Sequence, residues 1–173
     1  METLPSPTDE QTLILQNEER FKLVIAGAGT GKTTMLLHAA NKELKKKVLF
    51  LTFSRKMYED AWEKIKKFHL EGIEVKTING FSLKVIKRFN QHETVTVINQ
   101  IPRALELLQD KDKLNEVCRG YSVLLVDEVQ DLKENYTQLI CLLAQEIGKA
   151  ILVGDEAQAI YGFNKGTTSF NAI

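Results

Sequence analysis

The chain has 173 residues, 43% hydrophobic and 27% charged, the balance of an ordinary soluble globular domain with room for a real core. Its 23 Lys and Arg offset 23 Asp and Glu, which excludes bulk electrostatic attraction to nucleic acid, so any such surface must come from local clustering. Cys118 and Cys141 have neither CxxC nor Cys/His spacing, which argues against a thiolate metal site, and no run nears the roughly 20 apolar residues needed to span a bilayer.

With no basic-then-apolar leader over residues 1–10, the expectation is a cytoplasmic protein with reduced thiols and no membrane partner. Behind Pro5 and Pro7, the first helix is expected over Asp9–Gln16. Apolar runs then predict strands at Leu23–Ile25, Val48–Leu51, Val75–Ile78, Val123–Val126 and Ile151–Val153, with a further short one at Val95–Ile98. Between them, periodicity predicts helices over Thr34–Leu44, Lys56–Phe68, Phe81–Phe89, Ala104–Leu108 and Glu134–Ile147, the last stopped by Gly148. Alternating strands and helices predict an α/β fold, a mostly parallel central sheet with helices on both faces, whose ligands bind beyond the carboxyl ends of the strands.

The first strand runs into Ala26-Gly27-Ala28-Gly29-Thr30-Gly31-Lys32-Thr33-Thr34, the layout of a phosphate-binding loop. Small residues let the backbone wrap a phosphate chain, and turned-in N–H groups make a concavity for anions. Lys32 neutralises the outer phosphates, Thr33 offers its hydroxyl to Mg²⁺, and the helix that follows adds the positive end of its dipole. Ala26 stands where the general pattern has Gly. The strand Val123–Val126 delivers Asp127-Glu128-Val129-Gln130-Asp131 at its carboxyl end. Asp127 is placed to hold Mg²⁺, and Glu128 to orient and deprotonate the attacking water. The strand Ile151–Val153 likewise leads to a polar tip, where Gln158 is positioned to sense the terminal phosphate. The lysine clusters Lys45-Lys46-Lys47 and Lys64-Lys66-Lys67 read as solvated faces.

Together these segments resemble the superfamily-one helicases of the UvrD/Rep/PcrA type over about residues 11–163. Ala-Gly-Ala-Gly-Thr-Gly-Lys-Thr is the form of the loop that family uses, which accounts for Ala26. Asp127–Asp131 is similar to its Asp-Glu-Ala-Gln-Asp signature, and Gly154-Asp155-Glu156-Ala157-Gln158-Ala159-Ile160-Tyr161 to its Gly-Asp-x-x-Gln-Ser-Ile-Tyr motif. The resemblance implies that Gln11 reads adenine through its amide. Thr52-Phe53-Ser54-Arg55-Lys56 and Thr77-Ile78-Asn79-Gly80-Phe81 resemble the stretches that touch single-stranded DNA, with Asn79 in place of His. By that resemblance Phe53, Tyr161 and Phe163 contact bases, and Thr52, Ser54, Lys56 and Thr77 contact phosphates.

The implied whole is a single RecA-like domain that binds ATP and Mg²⁺, the first of the two such domains of the family. A second RecA-like domain or a partner chain would complete its ATP site. Lacking that half, whose arginine is worth on the order of 10³–10⁵ in turnover in other phosphate-loop enzymes, the chain is expected to hydrolyse ATP feebly and to separate no strands. It would be either a piece of a longer helicase or a short homologue. The alternative is a non-catalytic module that keeps the fold and recruits a partner when nucleotide binds.

Overall fold

The computed structural model describes residues 2–43 and 46–155, and the side chain of Asp131 is not among the described parts. Gln158, Tyr161 and Phe163 therefore lie outside the described residues. The elements run α1 (Asp9–Gln16), β1 (Phe21–Ile25), α2 (Lys32–Lys42), β2 (Lys47–Thr52), α3 (Arg55–Lys67), β3 (Ile73–Thr77) and α4 (Ile78–Phe89). They continue through α5 (Gln100–Leu108), α6 (Lys111–Cys118), β4 (Tyr121–Val126), α7 (Glu134–Ile147) and β5 (Ala150–Gly154).

The strands form one sheet in the order β1-β5-β4-β2-β3, and every pair is parallel. Alternate side chains of a strand leave opposite faces, and both faces here are covered. Leu49 and Leu51, Leu124 and Val126, and Ala150 and Leu152 enter a core built with α4, α5, α6 and α7. Val48 and Phe50, Val123 and Leu125, and Ile151 and Val153 enter a second core under α2 and α3. This is the expected RecA-like phosphate-loop architecture. β5 lies between β1 and β4, so the loop after β1 and the acids after β4 flank the tip of β5.

Local chemistry sets the helix boundaries. Thr8 opens α1 with a reciprocal capping box to Gln11. Gly148 ends α7 at φ 79°, a left-handed turn that suits glycine. The short strand expected at Val95–Ile98 is a correction: a 3₁₀ turn runs over Val97–Asn99, with Val97 and Ile98 exposed. No neighbouring strand meets it among the described residues, and Asn79 donates to the Val97 carbonyl at 3.2 Å instead. Ile78, expected to finish β3, begins α4, because the Thr77 hydroxyl accepts from the Gly80 N–H and caps the helix.

At the amino-terminal end of the sheet, Glu74 on β3 ties two neighbours together. It accepts hydrogen bonds from Lys84 on α4 and, at 2.6 Å, from the Tyr121 hydroxyl on β4. Burial pushes the Glu74 carboxyl up, but the Lys84 and Tyr121 bonds and the charges of Lys84 and Lys76 outweigh it and hold it below the ordinary glutamate value. A depressed carboxylate stabilises the fold above its unfolded pKa, and that stability is lost as pH falls through the folded one. Glu74→Gln should therefore be less stable than wild type near neutral pH. Urea midpoints for the two should converge as the buffer is taken from about pH 7 to about pH 3.

Candidate nucleotide and metal site

At the carboxyl end of β1 the chain leaves the sheet at Ala26, whose N–H donates to the Gly154 carbonyl at 3.0 Å and extends the ladder by one rung. The left-handed positions of the loop are Gly29 (φ 76°) and Gly31 (φ 80°), both glycines. Ala26 is not among the positive-φ residues, so the sequence departure there carries no backbone strain. Gly31 caps α2 with no side chain to occupy the first-turn N–H groups, leaving them for an anion. Nothing lies within 4 Å of where a Cβ on Gly27 or Gly29 would sit, so the loop is open on that side.

Lys32, the first residue of α2, folds back along the loop and donates to the carbonyls of Ala26 (3.1 Å) and Gly27 (3.2 Å). Its ammonium also lies 3.7 Å from Asp155 at the tip of β5, with both side chains largely shielded from water. Thr33 donates its hydroxyl to Asp127 Oδ2 at 2.8 Å, across 94 residues of sequence. Asp127 is 3% exposed. Burial pushes its carboxyl up and the Glu128 charge adds to that, while the Thr33 hydroxyl, the Glu128 N–H and Lys32 pull the other way.

Glu128 follows in the left-handed region (φ 58°), an uncommon conformation for a residue with a side chain. Its carboxylate accepts from the Gln130 amide, and Gln130 Oε1 in turn accepts from the Asp155 N–H at 2.9 Å. The loop, Glu128, Gln130 and Asp155 share an open concavity of about 530 Å³ with Met57 and Lys64 from α3. Lys64, read in sequence with its cluster as a solvated face, lines the open concavity beside the loop. Lys66 and Lys67 keep that reading, lying over Trp62 and Phe68 respectively.

The donor set suits a nucleotide with its divalent cation. Thr33 and Asp127 present a hydroxyl and a carboxylate side by side, the hard oxygen ligands Mg²⁺ takes. Among the described residues there is no cluster of three His, Cys, Asp or Glu. A cation here would draw its other oxygens from phosphate and water, which is the Mg²⁺ habit. Gln11, expected at adenine, stands beside the loop and donates to the Thr30 carbonyl at 3.0 Å.

The described residues expected to contact DNA gather at the carboxyl ends of β2 and β3. Ser54 and Thr77 are the N-caps of α3 and α4, and Lys56 is exposed on the first turn of α3. Thr52 is a correction: it is 1% exposed and its hydroxyl turns to the Ser54 carbonyl, because β2 is buried on both faces to its last residue. Phe53 is half-buried, tilted against Tyr136 with ring centroids 5.7 Å apart. The Tyr136 hydroxyl donates to Asn79 at 3.1 Å, which ties the two segments together. Tyr136, Gln130, Asp155 and Lys64 were not singled out as site residues in sequence. Of these, the Gln and Asp positions carried a signal, since both stand inside quoted motifs.

An AAA domain family model, AAA_19, matches residues 10–164. Among curated proteins, the RecBCD enzyme subunit RecB of Borreliella burgdorferi is 32% identical over 87 residues, half of this chain and 7% of that protein. DNA helicase IV of Escherichia coli is 34% identical over 85 residues, 45% of this chain and 12% of that protein. The matched stretch is thus a small part of either relative's length. Domain III of the replication initiation protein DnaA from Thermotoga maritima aligns over 91% of this chain and 57% of that one, at 16% identity and a TM-score of 0.40. The family match over residues 10–164, with the phosphate loop and Asp127-Glu128 brought to one end of a parallel sheet, makes this chain a member of that AAA domain family, a helicase-like ATPase domain of the superfamily-one UvrD/Rep/PcrA type corresponding to the first RecA-like domain.

Proposed function

We propose that this chain binds ATP with Mg²⁺ and hydrolyses it, as the motor half of a DNA helicase that moves along single-stranded DNA. The observation that carries the reading is the 2.8 Å contact between Thr33 of the phosphate loop and Asp127 at the tip of β4. It joins the two halves of the ATPase signature across the sheet. The loop N–H groups and Lys32 would hold the phosphates, and Thr33 with Asp127 would hold Mg²⁺, whose charge offsets that of the phosphates. Lys32 faces the Asp155 carboxylate and donates to two carbonyls, so phosphate binding would exchange one set of partners for another.

Glu128 takes the proton of the attacking water, and the amide of Gln158 follows the state of the terminal phosphate. Gln11 meets adenine. Phe53, Lys56, Ser54 and Thr77 form the face for single-stranded DNA, where stacking is tolerant of sequence, and the family resemblance gives Tyr161 and Phe163 the further base contacts. A second RecA-like domain, in the same protein or a partner, supplies the positive charge that speeds phosphoryl transfer.

The test measures ATP turnover of the chain with and without single-stranded DNA at low salt. Slow, Mg²⁺-dependent turnover that changes with DNA is expected. Nucleotide binding with no DNA binding at low salt would confine the reading to an ATPase module and refute the DNA face.

A further inference from the structure

We propose that Gln130 is a positioning residue that holds Glu128 in place and couples it to the tip of β5. The inference rests on the reading of Glu128 as the group that handles the attacking water.

The two ends of one side-chain amide make different bonds. Its Nε2 donates to Glu128 Oε2, and its Oε1 accepts from the Asp155 N–H at 2.9 Å. An amide is the group that can do both, since it carries a donor and an acceptor on one planar head. Glu at this position would keep the acceptor but set a second carboxylate against Glu128. Leu would fill a similar volume and make neither bond. Neighbouring backbone is shaped around the amide as well. A Cβ at Gly154 would come within 3.1 Å of Gln130 Oε1 and 3.0 Å of Val129 Cγ2, so glycine there lets β5 approach closely.

Glu128 needs such a hold. Its backbone is left-handed at φ 58°, a conformation that persists in a non-glycine residue when surrounding contacts fix it. On the far side of the bridge, Asp155 faces Lys32 at 3.7 Å. A chain of contacts thus runs from Lys32 through Asp155 and Gln130 to Glu128. Displacement of Asp155 when phosphate takes Lys32 would be transmitted to the carboxylate that handles water.

The experiment uses Gln130→Leu, Gln130→Glu and Glu128→Gln in the full chain, with affinity for a fluorescent ATP analogue, ATP turnover and melting temperature measured for each. Both Gln130 variants should turn over about 10- to 100-fold more slowly, with nucleotide affinity within about twofold of wild type, the pattern of a misplaced group and not of lost binding. Wild-type turnover in Gln130→Leu, beside an inactive Glu128→Gln, would overturn the positioning role and leave the assignment of the base standing. Wild-type turnover in Glu128→Gln would remove that assignment itself.

A second readout needs neither turnover nor a folded Gln130 variant. In nucleotide-free protein, Glu128→Ala should move the Asp155 backbone amide resonance and the Gln130 side-chain amide pair together. If the Asp155 amide stays at its wild-type position, the coupling is refuted.

Discussion

Glu128→Gln is expected to lower ATP turnover by about 10²–10⁴-fold while nucleotide affinity stays within about twofold. The amide is the same size as the carboxylate, so the surroundings of residue 128 need not repack. It still offers Gln130 an oxygen to bond, so the grip on residue 128 should persist. What is lost is the capacity to take a proton from water. Lys32, Thr33 and Asp127 are untouched, and these are the side chains proposed to hold phosphate and cation. Steady-state turnover and equilibrium titration with a fluorescent ATP analogue separate the two effects. Equal turnover in the two proteins would show that some other group activates the water.

Phe50→Ala should have the largest effect on the fold itself. Phe50 is 0% exposed, sits in the middle of β2, and enters the core under α2 and α3. Truncating a buried Phe costs about 3–5 kcal/mol, from lost transfer energy and the cavity left behind. A domain is typically stable by only about 5–15 kcal/mol, so much of the reserve would go. The urea midpoint should fall sharply while the slope stays near the wild-type value. The partner face offers a control, since Leu124 is equally buried but enters the other core. Leu124→Ala should cost about 2–5 kcal/mol, and a much smaller loss at both positions would mean that the two-faced packing is not what holds the sheet.

Much of this arrangement could be read in sequence where a local rule and the final packing agree. The helix over Asp9–Gln16 and that over Glu134–Ile147 match their expected bounds, because a capping box and a stop glycine act within a few residues. The strands were visible because parallel strands buried on both faces are continuous apolar runs. α6 was missed. Its sequence, Lys-Asp-Lys-Leu-Asn-Glu-Val-Cys, buries only Leu114, Val117 and Cys118, a narrow stripe among charges, with Asp110 as a cap easily mistaken for loop.

At the site, residue types and strand ends were legible, but partners were not. The Lys32–Asp155 pair, the Gln130 bridge and the burial of Thr52 depend on which strand tips become neighbours. That follows from strand order, with β5 between β1 and β4, and strand order is not written in any one segment. The left-handed backbone of Glu128 was not legible either, since nothing in Val-Asp-Glu-Val-Gln asks for it locally.

The placement of β1 has a bearing on how the molecule is made. Its strand partner among the described residues is β5, with Phe21 opposite Ala150 and Ile25 opposite Gly154. On a ribosome the loop that follows β1 emerges first, and the edge it must lean on is synthesised more than a hundred residues later. Nascent chains halted before Ala150 should therefore carry the glycine-rich segment without a rigid seat for it. Competence to capture a triphosphate should appear abruptly during elongation, as β5 clears the exit tunnel.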